Sequence, residues 1–329
     1  DESVRLGATW ISLTPFGRVH DLTPEGIDKS FEAPFAENRA AVMRAVGQAH
    51  ERGLRVLLVP HLWVESGEWR ALIDPQTDQG WERWSRAYRA FVLEWADVAH
   101  QSGVDMLSVG VELRSWVTRP QAASMVAIIG EVRQRYSGLL TYSANWDDAA
   151  HTLIWDHVDL IGINAFYPLT QREGASLQEL GQGAREVERS VRELAEDTRK
   201  PVLFAEIGYT TRKDPALRPW EWPDGMTGVV VDERAQADAY RALLEPFVAA
   251  DYFAGFFVWR YYADPDDVSQ EAAWGFSPRG KLAEVVLRDA FRAHWAADGP
   301  WLPGEHAGRH RARSPWLLGG EASPPLFQP

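Results

Sequence analysis

Seven short apolar runs, separated by longer segments with helical periodicity, constrain the fold of this chain more than any other feature. Most of the runs are almost continuously hydrophobic, which is typical of parallel strands covered on both faces. Repeated β/α units of this kind predict an α/β fold, the (β/α)8 TIM barrel, and 329 residues suffice for one such domain with insertions. The runs are 5–13, 55–61, 106–113, 139–145, 160–165, 202–207 and 255–259.

The segments between the runs place apolar residues at helical spacing. Over 38–52 this spacing aligns Ala41, Ala45 and Ala49 on one face, and Gly53 supplies a stop. Helices are likewise predicted over 81–100, 176–197, 233–248 and 281–295, and the aromatic side chains of the first are interpreted as packing. We therefore expect one barrel domain over residues 1–297 and an irregular tail rich in Pro, Gly and Arg over 298–329.

Composition and charge exclude several classes of partner and site. A formal net charge of −13 repels phosphate backbones, so no nucleic-acid partner is expected. No run of about 18 apolar residues is present, so no membrane-spanning segment is expected, and no signal peptide is visible at the start. The chain has no Cys and no His-Glu-x-x-His spacing, so we expect neither a metal nor a cofactor.

The aromatic content fits a neutral carbohydrate substrate. Trp occurs 16 times, and although much of it is expected in the core, an exposed Trp in a cleft offers sugars an apolar face for stacking. Two insertions that follow strands, 213–232 and 260–280, are rich in aromatic residues. Because loops after the strands of a barrel line its active face, Trp220 and Trp222 in the first insertion are candidate substrate-binding residues.

Two glutamates lie where strands should end. Glu112 closes the run LSVGVE, and Glu206 lies near the end of PVLFAEIGY, three runs further around the ring. A lone carboxylate at such a position is usually a structural salt bridge or a cap, but a pair indicates catalysis. Cleavage of a glycosidic bond needs one carboxylic acid, with a raised pKa, to protonate the leaving oxygen and one carboxylate, kept ionised, to meet the charge at the anomeric carbon.

Polar and aromatic side chains at other strand ends are candidates for binding the substrate. A Tyr hydroxyl can hold a nucleophilic carboxylate in place, and a Trp can form the floor on which a sugar stacks. A structural role at the barrel rim is the alternative for each of them, and for the histidine it is the simpler interpretation. The candidates are His61, Asn145, Trp146, Asn164, Tyr167 and Trp259.

Several of these stretches together resemble a known family. TYSANWDD, DLIGINAFYPL, PVLFAEIGYTTR and WGFSPRGK, in this order after SVGVEL, resemble glycoside hydrolase family 113, over about residues 5–290. Known members of that family include endo-β-1,4-mannanases of a large retaining clan of TIM barrels. The resemblance implies Glu112 as general acid/base after the fourth strand and Glu206 as nucleophile after the seventh. It also implies that Tyr167 contacts the nucleophile and that Trp259 is the Trp of the eighth strand.

The chain departs from the clan pattern at two points. Most of the clan has Asn directly before the acid/base, where it binds the sugar 2-hydroxyl, whereas this chain has Val111, so Asn145 is our candidate for that role. The resemblance also makes the seven runs strands two to eight, with residues 1–6 as the end of the first helix. We therefore expect a barrel whose first strand is absent from the numbered chain or is replaced by another segment.

These patterns predict a retaining glycoside hydrolase that cleaves a β-linked polysaccharide or oligosaccharide, β-mannan first, by double displacement. The carboxyl groups of Glu112 and Glu206 should then lie about 5 to 5.5 Å apart. Two alternatives stay open: a hydrolase of an amino-sugar polymer such as peptidoglycan or chitin oligosaccharide, and a non-catalytic carbohydrate-binding barrel. A monomer is expected, and a secreted or periplasmic location is favoured because polymeric substrates lie outside cells.

Overall fold

A parallel sheet of seven strands curves into a nearly closed barrel, and its strand order follows the chain. The computed structural model describes residues 1–221, 228–264 and 271–295. In chain order the strands are β1 (Trp10–Leu13), β2 (Phe16–Val19), β3 (Arg55–Leu58), β4 (His61–Val64), β5 (Met106–Val111), β6 (Leu139–Asn145), β7 (Leu160–Asn164), β8 (Val202–Ile207) and β9 (Phe253–Val258). All of them except β2 and β4 belong to the barrel.

Each predicted run overlaps one barrel strand, so the prediction of a TIM barrel is confirmed. The agreement follows from burial, since every residue of β5 and β7 is buried, as expected for strands covered on both faces. The first run is only partly a strand, because its start belongs to a short helix that ends at Gly7 with a φ of 88°. This is the helix end that the resemblance implied for residues 1–6.

Eight helices are present among the described residues, and those between barrel strands cover the outside of the sheet. Side-chain caps start three of them: the Thr77 side chain accepts from the amide of Gly80, Ser176 forms a capping box with Glu179, and the Asp232 side chain accepts from the amide of Ala235. The helices are α1 (Glu2–Leu6), α2 (Phe35–His50), α3 (Asp78–Ser102), α4 (Arg114–Val117), α5 (Ala122–Arg135), α6 (Leu177–Thr198), α7 (Glu233–Leu244) and α8 (Leu282–Trp295).

The aromatic stripe of α3 lies in the core between this helix and the sheet. Trp84, Tyr88, Phe91 and Trp95 are at most 1% exposed, and all belong to the main hydrophobic cluster. Their interpretation as packing residues is therefore confirmed. None of the helices among the described residues is long and apolar enough to cross a membrane.

The barrel has a seam between its first and last strands. β1 and β9 are the two ends of the sheet, and within the described residues no strand pairing joins them. An apolar cavity lined by Trp10, Leu203 and Phe257, among others, lies at this seam. The described chain thus supplies strands two to eight of the ring, as predicted, and the first helix is fastened beside the seam by an ion pair between Glu2 and Arg279.

A second, two-stranded parallel sheet extends the rim where β1 and β3 end. β2 pairs with β4 in a register that sets Phe16 opposite His61 and Arg18 opposite Trp63. The sequence analysis missed this ribbon and placed His61 at the end of a barrel strand. Both strands have only four residues, which is too short for their periodicity to stand out.

Candidate active site

Three neighbouring strands bring polar side chains into register at one rim of the barrel. Asn145 on β6 pairs with Asn164 on β7, and Asn164 pairs with Glu206 on β8. Glu112 directly follows β5, and its amide donates to the carbonyl of Ser143 at 2.8 Å. Because all these strands are parallel, the side chains gather at their carboxyl ends, where barrel enzymes have their active sites.

The backbone of Glu112 adopts the left-handed conformation, with a φ of 50°. This region is uncommon for a residue other than Gly, and such strained positions concentrate at functional sites. The next amide, of Leu113, donates to the buried hydroxyl of Tyr142 at 2.7 Å. The turn at the end of β5 is therefore fixed by core contacts.

Glu112 accepts hydrogen bonds from three side chains. Its Oε2 accepts from Nη1 of Arg70 at 2.5 Å and from Nε1 of Trp69 at 2.8 Å, and its Oε1 accepts from Nδ2 of Asn164 at 2.8 Å. The residue is only 7% exposed. Arg70 and Trp69 thus cover one carboxylate oxygen, and a guanidinium is the strongest donor among the three.

Among the described residues, Glu206 has no comparable set of donors, and its surroundings favour the neutral acid. Burial and the negative charge of Glu112 raise the pKa of Glu206 to about 8, while the charge of Arg70 and a hydrogen bond from Asn164 oppose this shift. Asn164, which is completely buried, therefore interacts with both carboxyl groups. The group with the raised pKa is thus the residue predicted to be the nucleophile.

His61 lies against Glu206 as a neutral ring. Its Nε2 is 3.9 Å from Oε1 of Glu206, and its ring contacts those of Phe16 and Trp259 with centroids 4.8 Å and 6.5 Å away. Burial and the charge of Arg70 hold the pKa of His61 well below its usual range. Its Nδ1 faces the carbonyl of Leu62 at 3.3 Å and so carries the proton, which leaves Nε2 as an acceptor toward Glu206.

Asn145 lies at the same rim but is directed to a different partner. Its Nδ2 donates to Oδ1 of Asp147 at 2.5 Å, and Asp147 forms an ion pair with Arg114 at 2.6 Å. Within the described chain, Asn145 makes no hydrogen bond to either glutamate, whereas Asn164 contacts both. Of the two asparagines considered in the sequence analysis, Asn164 is the one brought to the carboxyl pair.

Aromatic rings form a platform beside the asparagines. Trp146 stacks on Trp220 with centroids 5.5 Å apart, and Trp220 is 47% exposed. Tyr167 packs against Trp146 at 5.6 Å, and burial together with the charge of Asp147 raises its pKa. No hydrogen bond joins Tyr167 to Glu206 in the described part of the chain. Tyr167 therefore packs on Trp146 rather than on Glu206.

The remaining predicted tryptophans have different positions. Trp259 is half-buried at the end of β9, faces His61, and is joined to Arg260 by a cis peptide bond. Trp222 and the predicted tail 298–329 lie outside the described residues. Trp69 and Arg70 were missed because they lie at the start of a short 3-10 helix, Arg70–Leu72, where no strand end marks them.

A comparison with protein families decides the classification of this fold and site. The sequence profile of glycoside hydrolase family 113 matches residues 2–281. The chain belongs to glycoside hydrolase family 113. It is therefore a glycoside hydrolase on a TIM barrel, as the resemblance implied. Among curated proteins, no sequence matches the chain significantly.

Solved structures of the family 113 fold agree with this assignment. The family 113 β-mannanase from Alicyclobacillus acidocaldarius, in complex with ManMIm, is 26% identical, with a TM-score of 0.76 over 88% of this chain and 90% of that one. A family 113 β-1,4-mannanase complex is 21% identical, with a TM-score of 0.75 over the same shares. A fungal β-1,4-galactanase, at 12% identity and a TM-score of 0.54 over 87% of this chain and 88% of that one, shares the fold alone.

Proposed function

We propose that this family 113 enzyme is a retaining hydrolase of β-1,4-mannan and its oligosaccharides, with Glu206 as nucleophile and Glu112 as general acid/base. The observation that carries the proposal is the pair of carboxyl groups at the ends of β5 and β8, both in contact with the Asn164 amide. In the ring these are strands four and seven, the positions that the family resemblance assigns to the two roles. A non-catalytic barrel would need neither carboxyl group.

The family resemblance supports retention rather than inversion. Retention requires direct attack of one carboxylate on the anomeric carbon, with the carboxyl groups about 5 to 5.5 Å apart, whereas inversion needs about 6.5 to 9.5 Å to admit a water. The expected short separation therefore stays our prediction for this pair.

The reaction proceeds in two balanced steps. In the first, the Glu206 carboxylate bonds to the anomeric carbon while the bond to the leaving oxygen breaks and that oxygen takes the proton of Glu112. In the second, Glu112 removes a proton from a water whose oxygen attacks the anomeric carbon, and Glu206 departs as a carboxylate. Glu112 is thereby protonated again and ready for the next cycle.

The resting charges differ from those needed for the first step. Glu206 has the raised pKa, and Glu112 accepts from Arg70, Trp69 and Asn164. We infer that the pair holds one proton and that substrate binding moves this proton to Glu112 as the sugar displaces Trp69 and Arg70 from its Oε2.

Support for mannan as the substrate comes from the similarity to the Alicyclobacillus acidocaldarius β-mannanase, at 26% identity over most of both chains. The rim aromatic platform of Trp146 and Trp220 is suited to a neutral sugar, because an indole stacks on the apolar face of a pyranose. Neither observation depends on an acetamido group, which an amino-sugar polymer would present.

The test is a comparison of substrates followed by proton NMR of the first product. Purified protein is incubated with β-1,4-mannan, mannohexaose, β-glucan, chitin oligosaccharide and peptidoglycan, with Glu206→Ala as the control for contaminating activity. We expect cleavage of the two mannan substrates, with the β-anomer formed first. Cleavage of chitin oligosaccharide or peptidoglycan alone would overturn the substrate, and an initial α-anomer would overturn retention.

A further inference from the structure

The ribbon formed by β2 and β4 has one face in the core and one face at the rim. Leu62 and Val64 of β4 are 3% and 5% exposed and belong to the main hydrophobic cluster, as does Val19 of β2. Side chains alternate across a strand, so the residues between them lie on the other face. On β4 that face carries His61 and Trp63.

The second face of the ribbon belongs to the active site. His61 lies 3.9 Å from the carboxyl group of Glu206 and contacts Phe16, its partner in the ribbon register. Trp63 is two residues further along the same face, which corresponds to about 7 Å along a strand. Trp63 therefore lies on the same face of the ribbon as His61, two residues further along β4.

The exposure of Trp63 contrasts with the burial of its neighbours on β4. Its side chain is 52% exposed, more than that of Trp220, while its neighbours Leu62 and Val64 are buried. Its partner across the ribbon is Arg18, which is ion-paired to Asp28 at 2.9 Å and to Glu65 at 3.3 Å. Arg18, opposite Trp63 in the ribbon, is thus held by two carboxylates.

This ring and the platform of Trp146 and Trp220 lie on different sides of the general acid. In the order of the sheet, β5, which leads to Glu112, lies between β3 and β6. The ribbon strand that carries Trp63 follows β3, and Trp146 directly follows β6. Since the acid must lie at the bond that breaks, a polymer in the cleft extends from it toward both aromatic sites.

We propose that Trp63 is a sugar-stacking platform that binds the mannan chain on the opposite side of the cleaved bond from Trp146 and Trp220. The inference rests on the proposed glycosidase reaction and adds a second binding site to it. A mannan chain that stacks on both platforms would have at least three consecutive sugars bound in the cleft. This arrangement favours a polymer over a disaccharide and fixes which bond lies beside Glu112.

The test measures which bond of mannohexaose is cleaved, with the reducing end labelled by 18O so that products from either side are distinguished by mass. Trp63→Ala should raise KM for mannohexaose about tenfold and shift the preferred bond in one direction, whereas Trp220→Ala should shift it in the other. Trp63→Phe, which keeps an aromatic ring, should restore most of the wild-type pattern. Val285→Ala, at an exposed apolar residue on α8, is the matched control and should leave the pattern unchanged.

Two outcomes would overturn the proposal: Trp63→Ala cleaving with the wild-type KM and bond preference, or shifting the preference in the same direction as Trp220→Ala. Calorimetric titration of Glu206→Ala and of Glu206→Ala/Trp63→Ala with mannohexaose separates this result from failure of the proposed function. If Trp63 binds the sugar chain but the proposed reaction does not occur, the double variant binds mannohexaose more weakly than Glu206→Ala, although the wild type releases no product. Equal binding of mannohexaose by both variants would overturn the proposed role of Trp63, whatever the activity of the wild type.

Discussion

The two glutamates lie at the same rim, but their surroundings differ in charge and in donors. Glu112 accepts from Arg70, Trp69 and Asn164, whereas Glu206 is nearly buried beside the neutral ring of His61. Burial and the negative charge of Glu112 raise the pKa of Glu206 to about 8. The proton of the resting pair therefore belongs with the proposed nucleophile, although the first chemical step needs it on the proposed acid.

This difference separates the resting state from the reacting state. A sugar that entered between Glu112 and its donors would displace the hydrogen bonds from Arg70 and Trp69. The same sugar would bring a developing positive charge next to Glu206, which favours an ionised carboxylate there. The comparison thus predicts that substrate, rather than the protein alone, sets the roles of the two groups.

The largest effect is expected from Glu206→Ala. Loss of the nucleophile should reduce kcat on mannohexaose by roughly 10⁴-fold or more, because no other carboxylate can form the covalent intermediate. With an activated aryl β-mannoside, added azide should restore turnover and give the α-mannosyl azide, since azide then attacks from the vacated side. A β-mannosyl azide from this variant would reverse the two roles.

Glu112→Ala should have a smaller effect that depends on the leaving group. Loss of general acid catalysis should reduce kcat/KM on mannohexaose by roughly 10² to 10⁴-fold, whereas a dinitrophenyl β-mannoside, which leaves without protonation, should lose far less. The measurement is a series of aryl mannosides of increasing leaving-group pKa. An equal loss across the series would contradict the role of Glu112 as the acid.

Replacing Arg70 tests the hydrogen bond and the positive charge that Arg70 supplies to Glu112. The positive charge of Arg70 lowers the pKa values of Glu206 and His61, so Arg70→Met should raise both and move the pH profile of kcat/KM to higher pH. We expect activity at the wild-type optimum to fall about tenfold to a hundredfold, because Glu112 also loses a positioning hydrogen bond. Arg70→Lys, which keeps the charge, should move the profile much less. A lower activity with an unmoved profile would mean that Arg70 acts only through packing.

The raised pKa of Glu206 also predicts a dependence of stability on pH. An unfolded chain releases this proton near the ordinary pKa of 4.5, whereas the folded protein keeps it until about pH 8. The contribution of Glu206 to the free energy of unfolding is therefore fully present below pH 4.5 and falls as pH rises to about 8.

Glu206→Gln removes this titration and serves as the comparison. Urea unfolding at pH 5 and pH 9 should show that the variant loses less stability than the wild type between the two conditions, by at least about 1 kcal/mol. Using the difference between the two proteins cancels the other groups that titrate over the same range. An equal loss in both would place the proton elsewhere in the pair.

The sequence was sufficient to predict the barrel because its strands are buried on both faces. β6 and β8 begin and end where the apolar runs 139–145 and 202–207 do, and the two glutamates mark strand ends in the sequence itself. That the first strand of the ring is the missing one followed from the count of runs together with the family resemblance. Features that depend on local apolar composition were therefore accessible.

Features that depend on which loops meet at the rim were not accessible. Arg70 and Trp69 lie about 40 residues before Glu112, at the start of a short 3-10 helix with no strand pattern, and only the fold brings them to its carboxylate. The ribbon of β2 and β4, and with it the direction of Trp63, depends on pairing between segments 45 residues apart. The raised pKa of Glu206 could not be predicted either, since it depends on how deeply Glu206 is buried and on the charge of Arg70.

Tyr167 provides the smallest and most discriminating change. In the free protein it packs on Trp146, and its pKa is raised by burial and by Asp147, so it belongs to the aromatic side of the site rather than to Glu206. Tyr167→Phe should then change kcat by less than about fivefold, because the ring contact is kept and only the hydroxyl is lost. The family resemblance implies instead a hydroxyl that holds the nucleophile, and that role would cost roughly a hundredfold. Kinetics on mannohexaose and on an aryl mannoside distinguish the two roles. A large loss of kcat on both substrates would mean that Tyr167 turns to Glu206 when substrate binds. Glu206 would then gain a hydrogen-bond donor in the complex, and its contrast with Glu112 would hold only without substrate.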